Sequence, residues 1–293
     1  MYIFIYGGEK MWNTKMSIAI SGGFDMPAED QVLLFKKVGF DGFAADYALH
    51  RDIIPELREL ADKMQMIFSY VHAPFMKMNK MWEHSKEADE STDELIDCLD
   101  ICAENKVPIV VAHVYIGFDD KEPNEAGLEN FGRVIRHAEK VGVKIAFENT
   151  EGEQFLRAVM ERFGDSDAVG FCLDTGHEMC YNHSRDMLSL YGKKVLMTHL
   201  NDNLGISDFD GQTIWTDDLH LLPFDGIANW QRIVERLEEH GYDGIYNFEL
   251  GKTSKGERHD NDIYTKMTTP EYITEAYKRA CRVASLKKDA FSL

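Results

Sequence analysis

Eight apolar runs of strand length, each followed by a stretch with helical spacing, constrain the fold more than any other feature of this chain. The runs are MSIAIS (Met16–Ser21), GFAADY (Gly42–Tyr47), MIFSYVH (Met66–His72), PIVVAHV (Pro108–Val114), VKIAFEN (Val143–Asn149), AVGFCLD (Ala168–Asp174), VLMTHLN (Val195–Asn201) and GIYNFEL (Gly244–Leu250). They read as strands buried on both faces, as a parallel sheet requires. Between them lie amphipathic stripes such as Leu128, Phe131, Ile135 and Ala138, or Trp230, Ile233, Val234 and Leu237. The junctions KVGFDGF, KVGVKIAF and EHGYDGIYNF share one order: helix end, glycine, strand. The glycine supplies a left-handed C-cap. Eight strands alternating with helices predict an α/β fold, a single-domain (β/α)8 TIM barrel over residues 16–293. With 293 residues, 44% of them hydrophobic, the chain suffices for such a domain. An open doubly wound sheet would place a phosphate loop after the first strand. SGGFDMP has paired glycines but no G-x-G-x-x-G.

Residues 1–15 read as an N-terminal extension. MYIFIYGGEK lacks the basic start and small-residue cleavage site of a signal peptide. Gly7–Lys10 can be encoded by a purine-rich stretch like a ribosome-binding site, so translation is expected to start at Met11; a native mass beginning at Met1 would refute this. A short extra strand is the alternative.

The net charge of -19 argues against a broad nucleic-acid footprint. Five cysteines without C-x-x-C spacing imply a reducing compartment, hence the cytoplasm, and no disulfide framework. No apolar run approaches the ~18 residues of a membrane helix. The expected partner is a small molecule, not nucleic acid or membrane, and a homo-oligomer is left open.

In a barrel, side chains at the C-terminal strand ends converge on one mouth. Strand three ends in His72, strand four in His113 and strand five in Glu148. Strand six ends in Asp174, with His177 just beyond; strands seven and eight end in His199 and Glu249. Asp218 and His220, in DDLHLLPFDG, follow strand seven. Taken singly, a strand-end histidine is more often a hydrogen-bonded core residue, and Asp174 reads as a helix N-cap. Glu148 and Glu249 each follow an aromatic residue in an apolar strand, where an unpaired carboxylate is costly. Several carboxylates converging would repel one another; a divalent cation removes that penalty, and imidazoles complete its shell.

The remaining histidines, His50, His84, His137, His183, His240 and His259, read as surface residues. MKMNKMWEH (Met76–His84) reads as packing under a loop, or as an apolar pocket wall. The acidic run Glu87–Asp97 reads as a solvated helix start. The loops Gly205–Asp217 and Gly251–Thr269 exceed the roughly 2–6 residues usual after a barrel strand. The first carries Phe209 and Trp215, suited to a sugar's apolar face. Lys252, Lys255 and Arg258 on the second are suited to an anionic group, or form a solvated surface loop.

VHAPF, VVAHVY, AFENTEG, CLDTGHEM, THLNDN, DDLHLLPFDG and NFELG, in this order, resemble the xylose-isomerase-like TIM-barrel superfamily, from about Met16 to the C-terminus. That superfamily holds sugar isomerases and epimerases together with the endonuclease IV-type enzymes (AP endonuclease family 2). The epimerase resemblance implies one divalent ion, Mn²⁺, Mg²⁺ or Co²⁺ with Zn²⁺ as an option, on Glu148, Asp174, His199 and Glu249. It implies proton exchange by Glu148 and Glu249 through an enediolate, with His177 orienting the substrate or sharing proton transfer. The endonuclease resemblance implies a three-zinc cluster on those four residues with His72, His113, His177, Asp218 and His220, acting on abasic DNA. Ketohexose epimerases commonly carry an Arg six positions beyond the strand-seven histidine; here that position is Gly205. APFMKMN and NTEG do not match DNA-contacting loops. The expected function is therefore a metal-dependent isomerase or epimerase of a small sugar or sugar derivative. The alternatives are the abasic-site phosphodiesterase, a dehydratase or lyase on a keto sugar, and a non-catalytic metal- or carbohydrate-binding barrel.

Overall fold

The structure, a computed structural model, describes residues 13–208 and 212–288. Met11 and Phe209, singled out above, lie outside these residues. All eight expected strands form: β1 (Met16–Ala19), β2 (Gly42–Asp46), β3 (Ile67–His72), β4 (Ile109–Ala112), β5 (Lys144–Glu148), β6 (Val169–Asp174), β7 (Val195–His199) and β8 (Tyr246–Phe248). The order is β7-β6-β5-β4-β3-β2-β1-β8, with parallel pairings. A parallel bridge from Leu200 to Phe248 joins the two ends. The result is a single-domain (β/α)8 barrel. His113 and Glu249 each stand one residue beyond their strand.

The helices are α1 (Ala28–Val38), α2 (Tyr47–His50), α3 (Ile54–Met64), α4 (Lys86–Glu104), α5 (Glu125–Val141), α6 (Glu153–Phe163), α7 (Thr175–Met179), α8 (Met187–Tyr191), α9 (Trp230–Glu239) and α10 (Thr269–Ala284). Sequence patterns account for several boundaries. Ser85 caps α4 by accepting from the Ala88 N–H, and the helix buries Leu95 and Leu99 beneath its acidic outer face. Thr268 and Glu271 form a capping box on α10. Gly142 closes α5 at φ +76°, a backbone state that costs a glycine little. The four-residue stripe of α9 is buried. His50 departs from expectation: it is 9% exposed because its imidazole folds back onto the backbone of Asp46. Met78 and Met81 pack inside, whereas Met76 is 72% exposed at the mouth.

Two apolar layers position the site. A large outer layer fills the space between barrel and helices. Inside the barrel, Ala44, Tyr70, Val111, Ala146, Cys172 and Met197 form a separate plug. Strand side chains alternate with period two, so the residue two beyond each plug member points into the mouth. From Tyr70, Val111, Ala146, Cys172 and Met197 this rule reaches His72, His113, Glu148, Asp174 and His199.

Candidate metal centre and active site

Register brings strand ends level: Asp174 pairs across with His199, and Glu148 with Cys172. Glu148 lies at the centre, 1% exposed. Its Oε1 is 2.9 Å from His199 Nδ1 and 3.3 Å from His177 Nδ1; its Oε2 is 3.2 Å from His113 Nε2 and 3.4 Å from His72 Nε2. His199 Nδ1 is also 2.9 Å from Glu249 Oε2. Glu148, Asp174, His199 and Glu249 each offer a ligand atom, all within 4.8 Å of one another. His72–His113–Glu148, His177–Asp218–His220 and Glu148–Cys172–His199 meet the same limit. The nine mouth residues singled out in the sequence thus come together.

Several of these contacts have the distance of an ion pair without the angles of a hydrogen bond. Glu148 Oε2, His113 Nδ1, His177 Nδ1, His199 Nε2 and His220 Nε2 are buried without a hydrogen-bond partner. Ligand atoms ~2.1 Å from one tetrahedral ion lie about 3.4 Å apart. Carboxylate and imidazole atoms gathered at such spacings, with Glu148 Oε2 and His177 Nδ1 left without a hydrogen-bond partner, fit a divalent cation.

The electrostatics agree. Burial pushes the Glu148 carboxyl up, but the surrounding imidazoles, His199 foremost, hold it well below the usual carboxylate range. Glu249 is lowered in the same way, burial being outweighed by His199. Asp174 is raised to about 6 by burial and by the nearby charges of Glu148 and Asp218. Burial opposes protonation of His177, yet Asp174 and Asp218 raise its pKa well above the ordinary value.

Two asparagines that the sequence reading passed over orient Asp174. Asn149 accepts the Asp174 N–H and donates to its carbonyl, and Asn201 Nδ2 donates to Oδ2 at 2.9 Å. Both stand inside quoted motifs, AFENTEG and THLNDN, but nothing in their spacing marks the role. Asp174 Oδ1 also accepts the His177 N–H at 2.7 Å, so cap and candidate ligand are the same residue.

The loop bearing Asp218 and His220 is folded around buried Asp202. That carboxylate accepts from the backbone of Asn203, Phe224 and Ala228 and from Trp230 Nε1. A Cβ at Gly226 would meet Asp202 Oδ1 at 2.2 Å, which explains that glycine. His220 adopts φ +52°, an uncommon state for a side-chain-bearing residue, and its Nε2 reaches Asp218 Oδ2 at 2.7 Å.

Glu148, Glu249, His72, His113, His177, Asp218 and His220 line a cavity of about 670 Å³ together with Phe75, Met76, Ile116, Phe118, Tyr181 and Trp215. Trp215 and Lys255 line this cavity. Arg258 does not line this cavity: it is paired with Asp217 Oδ1 at 3.0 Å and Asp260 Oδ2 at 2.7 Å. Lys255 Nζ is 2.5 Å from Asp218 Oδ2. Both cations are thus held by carboxylates of the fold. Gly205 has φ +79°, so the arginine of ketohexose epimerases would be strained at this backbone position.

A family model described as "Xylose isomerase-like TIM barrel" matches residues 32–267. A protein of Sinorhizobium fredii (strain NBRC 101917 / NGR234), Uncharacterized protein y4fM, is 30% identical over 186 residues, 59% of this chain and 57% of that protein. The matched part is less than two thirds of that relative's length. The solved structure of IOLI protein with a zinc atom superimposes with a TM-score of 0.73 at 22% identity, covering 95% of this chain and 100% of that one. D-Psicose 3-epimerase with D-tagatose, from Clostridium cellulolyticum H10, gives a TM-score of 0.71 at 18% identity, covering 92% and 99%. At these identities the two structures establish likeness of fold. Among the described residues the five cysteines are buried, and no helix is long and apolar enough to cross a membrane.

Proposed function

The chain belongs to the xylose isomerase-like TIM barrel family, and on that premise we propose that it is a divalent-metal-dependent isomerase or epimerase of a small sugar or sugar derivative. The reading rests on one observation: Glu148, Asp174, His199 and Glu249 converge within 4.8 Å at the barrel mouth. A cation held by these four, Mn²⁺, Mg²⁺, Co²⁺ or Zn²⁺, would supply Lewis-acid polarisation of the substrate carbonyl. Glu148 and Glu249, both held ionised, are available as bases but intrinsically weak ones. The acidity of the C–H beside the carbonyl must therefore come from polarisation of the substrate. One glutamate takes that proton, and the other returns it at the opposite face or a neighbouring carbon. His177, set between Asp174 and Asp218, would orient the substrate or share proton transfer. The sugar-epimerase neighbour supports the substrate class.

The test is solvent exchange. In D₂O the metal-loaded protein should incorporate deuterium at the carbon beside the carbonyl of a turned-over sugar. Glu148→Gln and Glu249→Gln should each lower kcat at least ~100-fold, the contribution of a positioned acid or base, and change substrate binding far less. Turnover without exchange would remove the proton-transfer mechanism.

The groupings His72–His113–Glu148 and His177–Asp218–His220 favour a second reading, a three-metal phosphodiesterase at abasic DNA sites. Against it, among the described residues Lys255 is the only lysine or arginine lining the cavity, and Asp218 already holds it. About three zinc ions per chain with abasic-site cleavage would establish the second reading; one ion without cleavage would exclude it.

A further inference from the structure

The cavity lining is of two chemical kinds. One is the carboxylates and imidazoles; the other is built from Phe75 and Met76 after β3, Ile116 and Phe118 after β4, Tyr181 after α7, and Trp215 after β7. Four separate loops thus deliver apolar side chains to one surface. Met76 is 72%, Trp215 59% and Phe118 48% exposed, a cost that a bound apolar group would relieve.

The wall is continuous with the ligand cluster. The Tyr181 ring stacks on His177 at 4.7 Å and 22°, and Phe75 lies 4.8 Å from His113. Phe118 packs edge-on to Tyr181 at 5.6 Å, and the Tyr181 hydroxyl donates to the Trp215 carbonyl at 3.2 Å. Whatever covers this wall therefore reaches it from the reacting centre. About 670 Å³ lies within the roughly 300–1,000 Å³ of pockets that take drug-sized ligands. A free hexose, with hydroxyls around its whole rim, leaves most of such a wall uncovered.

We propose that the substrate is a glycoside with an aryl aglycone: the sugar lies against Glu148, His177 and Glu249, and the aglycone packs on Phe118, Tyr181 and Trp215. This rests on the isomerase or epimerase reading above and narrows it. A glycosidic bond locks the anomeric carbon, so the carbonyl that acidifies the C–H must sit on another ring carbon. Aldose–ketose isomerisation is then excluded, leaving epimerisation beside the ring carbonyl or a shift of that carbonyl to the neighbouring ring carbon. The reaction that supplies the substrate must be oxidation of a ring hydroxyl in an intact glycoside. The pairing of Lys255 and Arg258 with carboxylates agrees with an uncharged ligand.

Binding to the metal-loaded protein tests this with phenyl and methyl glycosides of glucose, galactose and xylose, as both anomers, using calorimetry. For at least one sugar the phenyl glycoside should bind ten-fold or more tighter than its methyl partner. Trp215→Ala and Phe118→Ala, both at exposed positions, should each reduce that advantage below about three-fold. Methyl glycoside affinity should change less than about two-fold. Equal affinity within every pair, no binding by any glycoside, or an advantage that survives both substitutions would overturn the proposal. So would a change of oligomeric state in Trp215→Ala with no phenyl preference, since a second copy would then cover the wall. The parent reading is separable. Deuterium exchange on free sugars with no phenyl preference would sink the aryl glycoside alone. Phenyl preference without exchange on any sugar carbonyl would sink the chemistry and keep the ligand.

Discussion

Asp174 shows how one residue serves two purposes. Its carboxylate caps α7 and accepts from Asn201, and it is also one of the four convergent donors. In the structure it has no exposed surface. Asn should still fit. Asparagine is as good an N-cap as aspartate. Asn201 Oδ1 is buried without a partner, so a flip of that amide lets it accept from the new side chain. Removing the charge ends its attraction to His177 but also relieves its burial cost and its repulsion by Glu148 and Asp218. Asp174→Asn is therefore expected to change the stability of the metal-free protein by less than about 1 kcal/mol while lowering metal occupancy at least ten-fold. Elemental analysis and denaturant melts of the same sample check both halves. Full metal occupancy in the variant would remove Asp174 from the ligand set.

At the scale of elements, α7 and α9 are tied by a buried ion pair. Arg236 Nη2 donates to Glu178 Oε1 at 2.7 Å and Nη1 to Asp186 Oδ1 at 2.8 Å, with Arg236 7% exposed. Glu178 Oε2 also accepts the N–H of Met187, the first residue of α8. Three elements thus depend on one guanidinium. Arg236→Met leaves the Glu178 carboxylate buried and uncompensated, and is expected to cost about 3–5 kcal/mol. Adding Glu178→Gln should recover a large part of that loss, since the penalty belongs to the orphaned charge. Urea denaturation of the single and double variants measures it; equal stabilities would show the pair to be surplus. Glu178 stands in CLDTGHEM, but no local spacing links it to an arginine 58 residues later, so the sequence reading had no access to this contact.

For the whole molecule, a cation at the mouth would draw donors from β5, β6, β7 and the end of β8 into one network. A ligand that binds only the folded state stabilises it by mass action, by about 2.7 kcal/mol at a hundred-fold excess over Kd. In a domain of this size that corresponds to roughly 5–10 °C in Tm. Chelator-treated protein should therefore melt lower than protein resupplied with Mn²⁺, Mg²⁺, Co²⁺ or Zn²⁺, and the ion giving the largest shift identifies the preferred metal. A Tm that no ion changes would count against a structural cation at this site.

The barrel and its six strand-end mouth residues were legible in the sequence for one reason. Strand side chains alternate strictly, and parallel strands in a barrel end on the same rim, so a polar residue at the end of an apolar run has a determined destination. His72 two beyond Tyr70, and Glu148 two beyond Ala146, follow from that rule alone. What only the tertiary structure decided are contacts between loops with no common period. Lys255 and Arg258 looked available for an anion until the fold set them against Asp218 and Asp217, some forty residues away in the chain. His50 looked exposed until its ring turned back onto Asp46. The apolar wall is assembled from four loops whose members, such as Tyr181 and Trp215, carry no mutual spacing signal. Periodicity fixes which way a strand residue points; it contains nothing about which loops meet above the barrel, because their packing is settled by the closed shape of the sheet beneath them.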